Sequence, residues 1–282
     1  ATFTTTEDGM LETTWTGPSS GITLPVFVIT PRDYSPTDGK TYAVIELLHG
    51  YPGEADGTMQ GAQVQEALNN AIDAGIIPPT IIVGPSLSVD EEAHDCADIE
   101  GRPAVYTWVS HDVPEMIRHN FPNTSSNRDA WMIGGFSSGA YCAIWTALRT
   151  PETYGAAASL SGYDTQIEGQ MTNQGEQYLT DNTLSVMLAN RTPDGMRIYA
   201  MAAGDDAVGG GQGTRQRHHG RSPDGRARGP AVARTHSDDA GVVGVLQPCL
   251  DGRRCPFDGG DRTVLRSQRV HRAGDDRDPR GA

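Results

Sequence analysis

The sequence predicts an α/β fold, with a mainly parallel central sheet and helices on both faces. Three observations carry that expectation. Short apolar runs that read as buried strands alternate with helix-length segments through residues 1–210. The pentapeptide Gly135-Phe136-Ser137-Ser138-Gly139 stands between an apolar run and a helical one. A chain of 282 residues is also long enough to bury one large core.

Residues 9–16 and 22–30 read as two strands joined by the turn Gly17-Pro18-Ser19-Ser20-Gly21. Residues 31–40 form a loop. Tyr42 to Leu48 is a near-continuous apolar run, as expected of a strand covered on both faces, and it ends in His49-Gly50-Tyr51-Pro52-Gly53. Gln63 to Ala74 reads as a helix and Thr80 to Val83 as a buried strand, followed by a long loop over 84–103 that carries Cys96. Val105 to Asn120 is helical, kinked or restarted at Pro114. Trp131-Met132-Ile133 is a short strand leading into the pentapeptide, and Ala140 to Leu148 places apolar residues at helical spacing. A strand at 156–160, a polar region, a helix near 180–189 and a strand at 197–202 follow, the last running into Asp205 and Asp206. There is no internal repeat.

Composition divides the chain at residue 210. Residues 1–210 hold 7 Arg and 1 Lys against 27 acids, whereas residues 211–282 hold 14 Arg against 9 Asp with no Lys or Glu. Of 18 aromatic residues only Phe257 lies in this Arg/Gly/Asp/Pro-rich tail, which is too poor in apolar surface to offset its ordering entropy. The expected organisation is a C-terminally incomplete α/β domain over 1–210 and an irregular or disordered tail over 211–282. The tail reads as a natural basic segment or, preferably, as a GC-rich gene read out of frame. A one-base shift through codons 236–262 permits an amphipathic closing helix there.

A net charge of −14 argues against nucleic acid as a partner. No stretch approaches the roughly 18–20 apolar residues of a membrane span. No secretory leader is visible, and the chain begins at Ala1 rather than Met, which reads as a processed or excised domain. Four cysteines are too few and too scattered for a zinc site; Cys96 and Cys142 either form one disulfide or stay as two buried thiols.

The pentapeptide has the G-x-S-x-G form of a nucleophile elbow, with glycines two before and two after the serine allowing strand and helix to approach. A serine hydroxyl becomes nucleophilic when a histidine takes its proton and a carboxylate orients that histidine. In α/β-hydrolases the chain order is Ser, acid, His. Asp206, just past a buried strand, is the preferred acid, with Asp205 its capping or solvated neighbour; the alternative is that both are ordinary loop acids. The base falls among His218, His219, His236 and His271, of which His236 has the best distance from the acid. The oxyanion donors are the Ser138 N–H, at the helix start, and the Tyr51 N–H. His49 and His111, the latter beside Asp112, read as structural. Tyr51, Trp108, Tyr141 and Trp145 either line an acyl or sugar pocket or, for Tyr141 and Trp145 preferably, pack in the core.

With Leu47-Leu48-His49-Gly50-Tyr51-Pro52-Gly53, residues 107–114, Gly134 to Ala143 and Ala202 to Val208 taken together, the chain resembles the actinobacterial putative-esterase branch of the α/β-hydrolases, related to esterase D and the secreted mycolyltransferases. The resemblance covers about residues 8–208. It implies an α/β-hydrolase fold and an extracellular or cell-envelope serine esterase or acyltransferase that needs no metal or organic cofactor. It also implies Ser137 as nucleophile, Asp206 as acid, Tyr51 and Ser138 as oxyanion donors, and a small-molecule or lipid ester as substrate. The family's final Gly-His motif and closing helix have no counterpart in residues 211–282. Ester hydrolysis is therefore the leading expectation, beside an acyltransferase, a non-catalytic binding protein and an inactive frame-shifted product. Oligomeric state is left open.

Overall fold

Period-two alternation builds the centre of the molecule. The computed structural model describes residues 1–61, 63–89, 96–191 and 193–201, and within them eight strands form one sheet. These are β1 (Thr4–Thr5), β2 (Leu11–Thr16), β3 (Thr23–Ile29), β4 (Ala43–Leu48), β5 (Thr80–Pro85), β6 (Trp131–Phe136), β7 (Ala156–Leu160) and β8 (Arg197–Met201). Their order across the sheet is β1-β2-β3-β5-β4-β6-β7-β8. β1 is antiparallel to β2, β2 to β3 and β3 to β5, and β5, β4, β6, β7 and β8 run parallel. Along β3, Val26 and Val28 enter a large apolar cluster, whereas Phe27 and Ile29 enter a smaller one, so successive side chains serve opposite faces.

Helices cover both faces, as the strand and helix spacing predicts. The smaller cluster takes Ala55, Met59 and Leu68 from α1 (Ala55–Gly61) and α2 (Val64–Asp73). The larger cluster is covered by α3 (Val105–Thr107), a π-turn over Trp108–Asp112, α4 (Val113–Asn120) and α5 (Ser138–Arg149). Toward β8 the chain adds α6 (Glu176–Asp181) and α7 (Leu184–Arg191). Trp108, Trp131, Tyr141 and Tyr154 are fully buried there, each a large apolar body with a polar tip that finds a partner.

Three local features differ from the expectation. α1 is absent from the sequence reading because its Gly- and Thr-containing stretch has weak helical propensity; tertiary burial of Ala55 and Met59 holds it. The helix expected near 180–189 is two helices, parted at Asn182-Thr183. The Asn182 side chain leaves the helical path to accept from Trp145 Nε1 (2.9 Å) and Arg149 (2.6 Å) and to donate to the Tyr178 carbonyl (2.7 Å). The irregularity expected at Pro114 is a π-turn one turn earlier, in which the Val113 N–H reaches back to the Trp108 carbonyl. In that register the Val109 carbonyl would pair with Pro114, which has no N–H. The Tyr154 hydroxyl, 3.1 Å away, serves that carbonyl instead.

The Cys96–Cys142 disulfide is formed, with Cα atoms 5.3 Å apart, which removes the alternative of two free thiols. It ties α5 to the segment after β5. Ala202, Asp205, Asp206 and the tail over 211–282 lie outside the described residues.

Candidate functional site

The elbow forms because its two glycines leave no room for anything larger. A Cβ on Gly135 would overlap the Gly139 backbone and stand 2.8 Å from the Leu48 carbonyl oxygen. One on Gly139 would overlap the carbonyls of Leu48 and His49 and stand 2.8 Å from the Leu48 carbonyl carbon. The turn between β6 and α5 is therefore pressed against the end of β4. Ser137 takes the apex at φ 55° and ψ −119°, a conformation that L side chains adopt only under constraint. Its N–H donates to the Leu160 carbonyl at 3.0 Å, and its carbonyl accepts from Ala140 and Tyr141 at 3.0 and 3.2 Å. These bonds fix the backbone while the side chain stays half-buried at the C-terminal edge of the sheet.

The segment after β4 crosses directly beside this apex. A Cβ on Gly50 would stand 3.2 Å from Ser137 Cβ and 3.1 Å from the Phe136 carbonyl oxygen, so a larger residue there would push the two backbones apart by a few tenths of an ångström. His49 anchors the segment from beneath. Its Nε2 accepts from the Leu87 N–H at 2.8 Å, and its Nδ1, protonated in that tautomer, donates to the Gly50 carbonyl at 2.8 Å. Desolvation of the buried ring lowers its pKa, opposed by the Gly50 carbonyl and by Glu54 and Asp56, and so favours the neutral form this pair of bonds requires. His49 thus has a structural place, as its loop position suggests.

Ser138 is buried and is the first residue of α5, so its N–H has no acceptor within the helix and sits at the positive end of the helix dipole. Tyr51 is half-buried in the crossing segment. Asp205, Asp206, His218, His219, His236 and His271 lie outside the described residues. The last described residue, Met201, closes β8 and its carbonyl accepts from the Ser161 N–H at 2.7 Å. Ser161 follows Leu160, which holds Ser137; the chain therefore leaves β8 two hydrogen bonds from the elbow.

The remaining candidates have side chains engaged elsewhere. Tyr141 and Trp145 are core residues that meet Asn182, and Trp108 is fully buried with its Nε1 donating to the Ser86 carbonyl at 3.1 Å. Asp112 is buried and accepts from the Ser19 and Ser20 N–H groups at 3.1 and 2.8 Å, pinning the turn between β2 and β3. Burial pushes its carboxyl up, but the bonds from Ser20 and Ser19 together outweigh that and hold it below the usual range. His111 beside it is exposed. Among the described residues no cluster of His, Cys, Asp or Glu could hold a metal ion.

One ionisable group escaped the sequence reading. Glu46 sits fully buried in the middle of β4, three residues before His49. Its Oε2 lies 2.7 Å from the Tyr154 hydroxyl, and its Oε1 has no hydrogen-bond partner among the described residues. Desolvation pushes its pKa up to about 8, against the lowering effects of Tyr154 and Arg118. The signal was present as a lone acid inside the apolar run Ala43-Val44-Ile45-Glu46-Leu47-Leu48.

A sequence profile of the family described as "Putative esterase" matches residues 18–215. The chain belongs to this family. Its fold is that of the α/β-hydrolases: a ferulic acid esterase superimposes with a TM-score of 0.59 at 16% identity, over 68% of this chain and 78% of that one. An S-formylglutathione hydrolase from Agrobacterium tumefaciens gives a TM-score of 0.56 at 12% identity, over 71% and 78% of the two chains. A curated relative, an uncharacterised protein of Corynebacterium glutamicum, is 32% identical over 123 residues, which are 43% of this chain. The match spans 28% of that relative's length. Among the described residues no helix is long and apolar enough to cross a membrane.

Proposed function

We propose that this esterase-family chain hydrolyses carboxylic esters through an acyl-enzyme on Ser137. The observation that carries the reading is the strained apex itself. A non-glycine residue is held at φ 55°, half-buried, and Gly50 crosses so near that a Cβ built on it would stand 3.2 Å from Ser137 Cβ. Strain of this kind persists only where the surroundings enforce it, and it concentrates at reactive centres.

In the proposed reaction, Ser137 Oγ attacks the ester carbonyl carbon as its proton passes to a histidine base. The carbonyl π-pair moves to oxygen, and that oxyanion accepts from the N–H groups of Ser138 and Tyr51. Collapse expels the alcohol, which takes the proton from the histidine and leaves an ester on Oγ. Water, deprotonated by the same histidine, repeats the sequence and releases the acid. Asp206 orients the base and His236 is the first histidine to test. Nothing in this cycle calls for a cofactor. Transfer to an alcohol in place of water draws on the same acyl-enzyme. The disulfide supports an extracellular or cell-envelope location, since such bonds persist in oxidising compartments.

A fluorophosphonate probe tests the reading directly. Covalent labelling at Ser137, lost in Ser137→Ala together with p-nitrophenyl ester turnover by about 10⁴-fold or more, is expected. A folded chain that is neither labelled nor active refutes it. Separate alanine variants of His218, His219, His236 and His271 then identify the base.

A further inference from the structure

Among the described residues three large apolar side chains are markedly exposed: Ile76, Phe136 and Ile167. Phe136 rises from the edge of the sheet that carries Ser137, and Ile167 lies in the segment that follows β7. Phe136 is the last residue of β6, pairs in register with Leu160 of β7, and immediately precedes the proposed nucleophile. It is 53% exposed, and its Cδ1 would stand 3.4 Å from a Cβ built on Gly50, so one part of the ring leans on the segment that crosses the apex. Ile167, 58% exposed, belongs to the loop that leaves β7 at the same edge.

β6 is otherwise buried or half-buried from Trp131 to Gly135, and only its final side chain opens to solvent. An exposed phenyl ring beside a reactive serine leaves apolar surface uncovered until something apolar lies on it. The neighbouring segment supports that direction, because Gly50 adds no side chain above the ring.

We infer that Phe136 is a specificity-determining residue whose open ring face receives the acyl group of the ester, selecting bulky apolar or aromatic acyl groups over acetyl, with Ile167 extending the same surface. This rests on the proposed acyl-enzyme at Ser137. It adds a substrate class: esters of aromatic or medium-chain acids. The contact acts on binding and orientation of the acyl group and leaves bond-making to Ser137.

The test compares p-nitrophenyl acetate, butyrate, octanoate and benzoate on the full chain and on Phe136→Ala, Phe136→Leu and Ile167→Ala, with circular dichroism confirming the fold of each. The wild type is expected to prefer octanoate and benzoate to acetate in kcat/KM. Phe136→Ala should reduce that preference about tenfold, the scale of one or two lost apolar contacts, chiefly through KM. Phe136→Leu should keep the octanoate preference and lose more of the benzoate preference, because it restores apolar area without a ring. A wild type that prefers acetate, or preferences unchanged within twofold in all three variants, overturns the inference. A chain whose Ser137 fluorophosphonate does not label overturns the catalytic reading, and this one with it; labelling with flat preferences overturns this one alone.

Discussion

Glu46→Gln should make the protein more stable at pH 8 while changing little near pH 4.5. The wild-type carboxyl is fully buried, its pKa pushed from 4.5 to about 8 first by desolvation, against the hydrogen bond from Tyr154 and the charge of Arg118. The sign follows from proton binding. Below pH 4.5 folded and unfolded chains both hold the proton, and the group's favourable neutral packing is fully retained. Between pH 4.5 and 8 the unfolded chain releases the proton and the folded chain keeps it, so stability falls by about 1.4 kcal/mol per pH unit. Above pH 8 both are ionised and the loss levels off. Over the whole interval the loss approaches roughly 5 kcal/mol, a ceiling set by the size of the shift. Glutamine preserves the shape and a donor for the Tyr154 oxygen, leaving that hydroxyl to serve the Val109 carbonyl, but it carries no titration. Urea unfolding of both proteins at half-unit steps from pH 4.5 to 9 gives the difference curve. Other groups cancel in that difference, including His49, whose lowered pKa works with the opposite sign by weakening the fold as pH drops below 6.5. Parallel curves for wild type and Glu46→Gln would refute the reasoning.

Replacing the apex serine separates strain from chemistry. Ser137→Gly should raise the melting temperature by about 2–4 °C, because relief of strain on the order of 1 kcal/mol or more outweighs the added unfolded-state freedom, whereas Ser137→Ala should not. Calorimetry showing the glycine variant no more stable than the alanine one would contradict an enforced φ. Asn182→Ala should destabilise by about 2–4 kcal/mol in denaturant midpoint experiments. It strips the acceptor from buried Trp145 Nε1 and from Arg149, while the Tyr141 bond to the Asn182 backbone carbonyl survives. A shift under about 0.5 kcal/mol would show that the α6–α7 junction does not depend on that side chain.

What the sequence discloses tracks how local each constraint is. The alternation in β3, the apolar runs of β4 and β7 and the glycines at 135 and 139 all act over a few residues, and the sheet from β2 to β8, the helices α2, α4 and α5 and the elbow were legible from such signals. The Gly50 segment was legible for a related reason: its glycine precedes a proline in a loop that closes an apolar strand. Features that need a distant partner were not. Glu46 meets a tyrosine 108 positions along the chain, and Asn182 breaks its helix to reach residues 33 and 37 positions earlier. The expected helix over 180–189 was continuous in pattern, because no local signal shows that one amide will be drawn into the core.

The same contrast explains how the elbow can be strained and still well defined. Parallel pairing of Leu48 with Gly135 brings the end of β4 against the start of the turn, and the pairing of Phe136 with Leu160 does the same from the other side. Between these two strands Ser137 has one backbone path. The Leu160 carbonyl takes its N–H, and the Leu48 and His49 carbonyls press on Gly139 behind it. His49, held by Leu87 and holding Gly50, then sets how closely the crossing segment approaches. The backbone geometry at Ser137 is thus over-determined by sheet register rather than by the pentapeptide alone. A Gly-x-Ser-x-Gly sequence without a neighbouring strand ending in a glycine-bearing loop would lack the pressure that keeps its serine at positive φ.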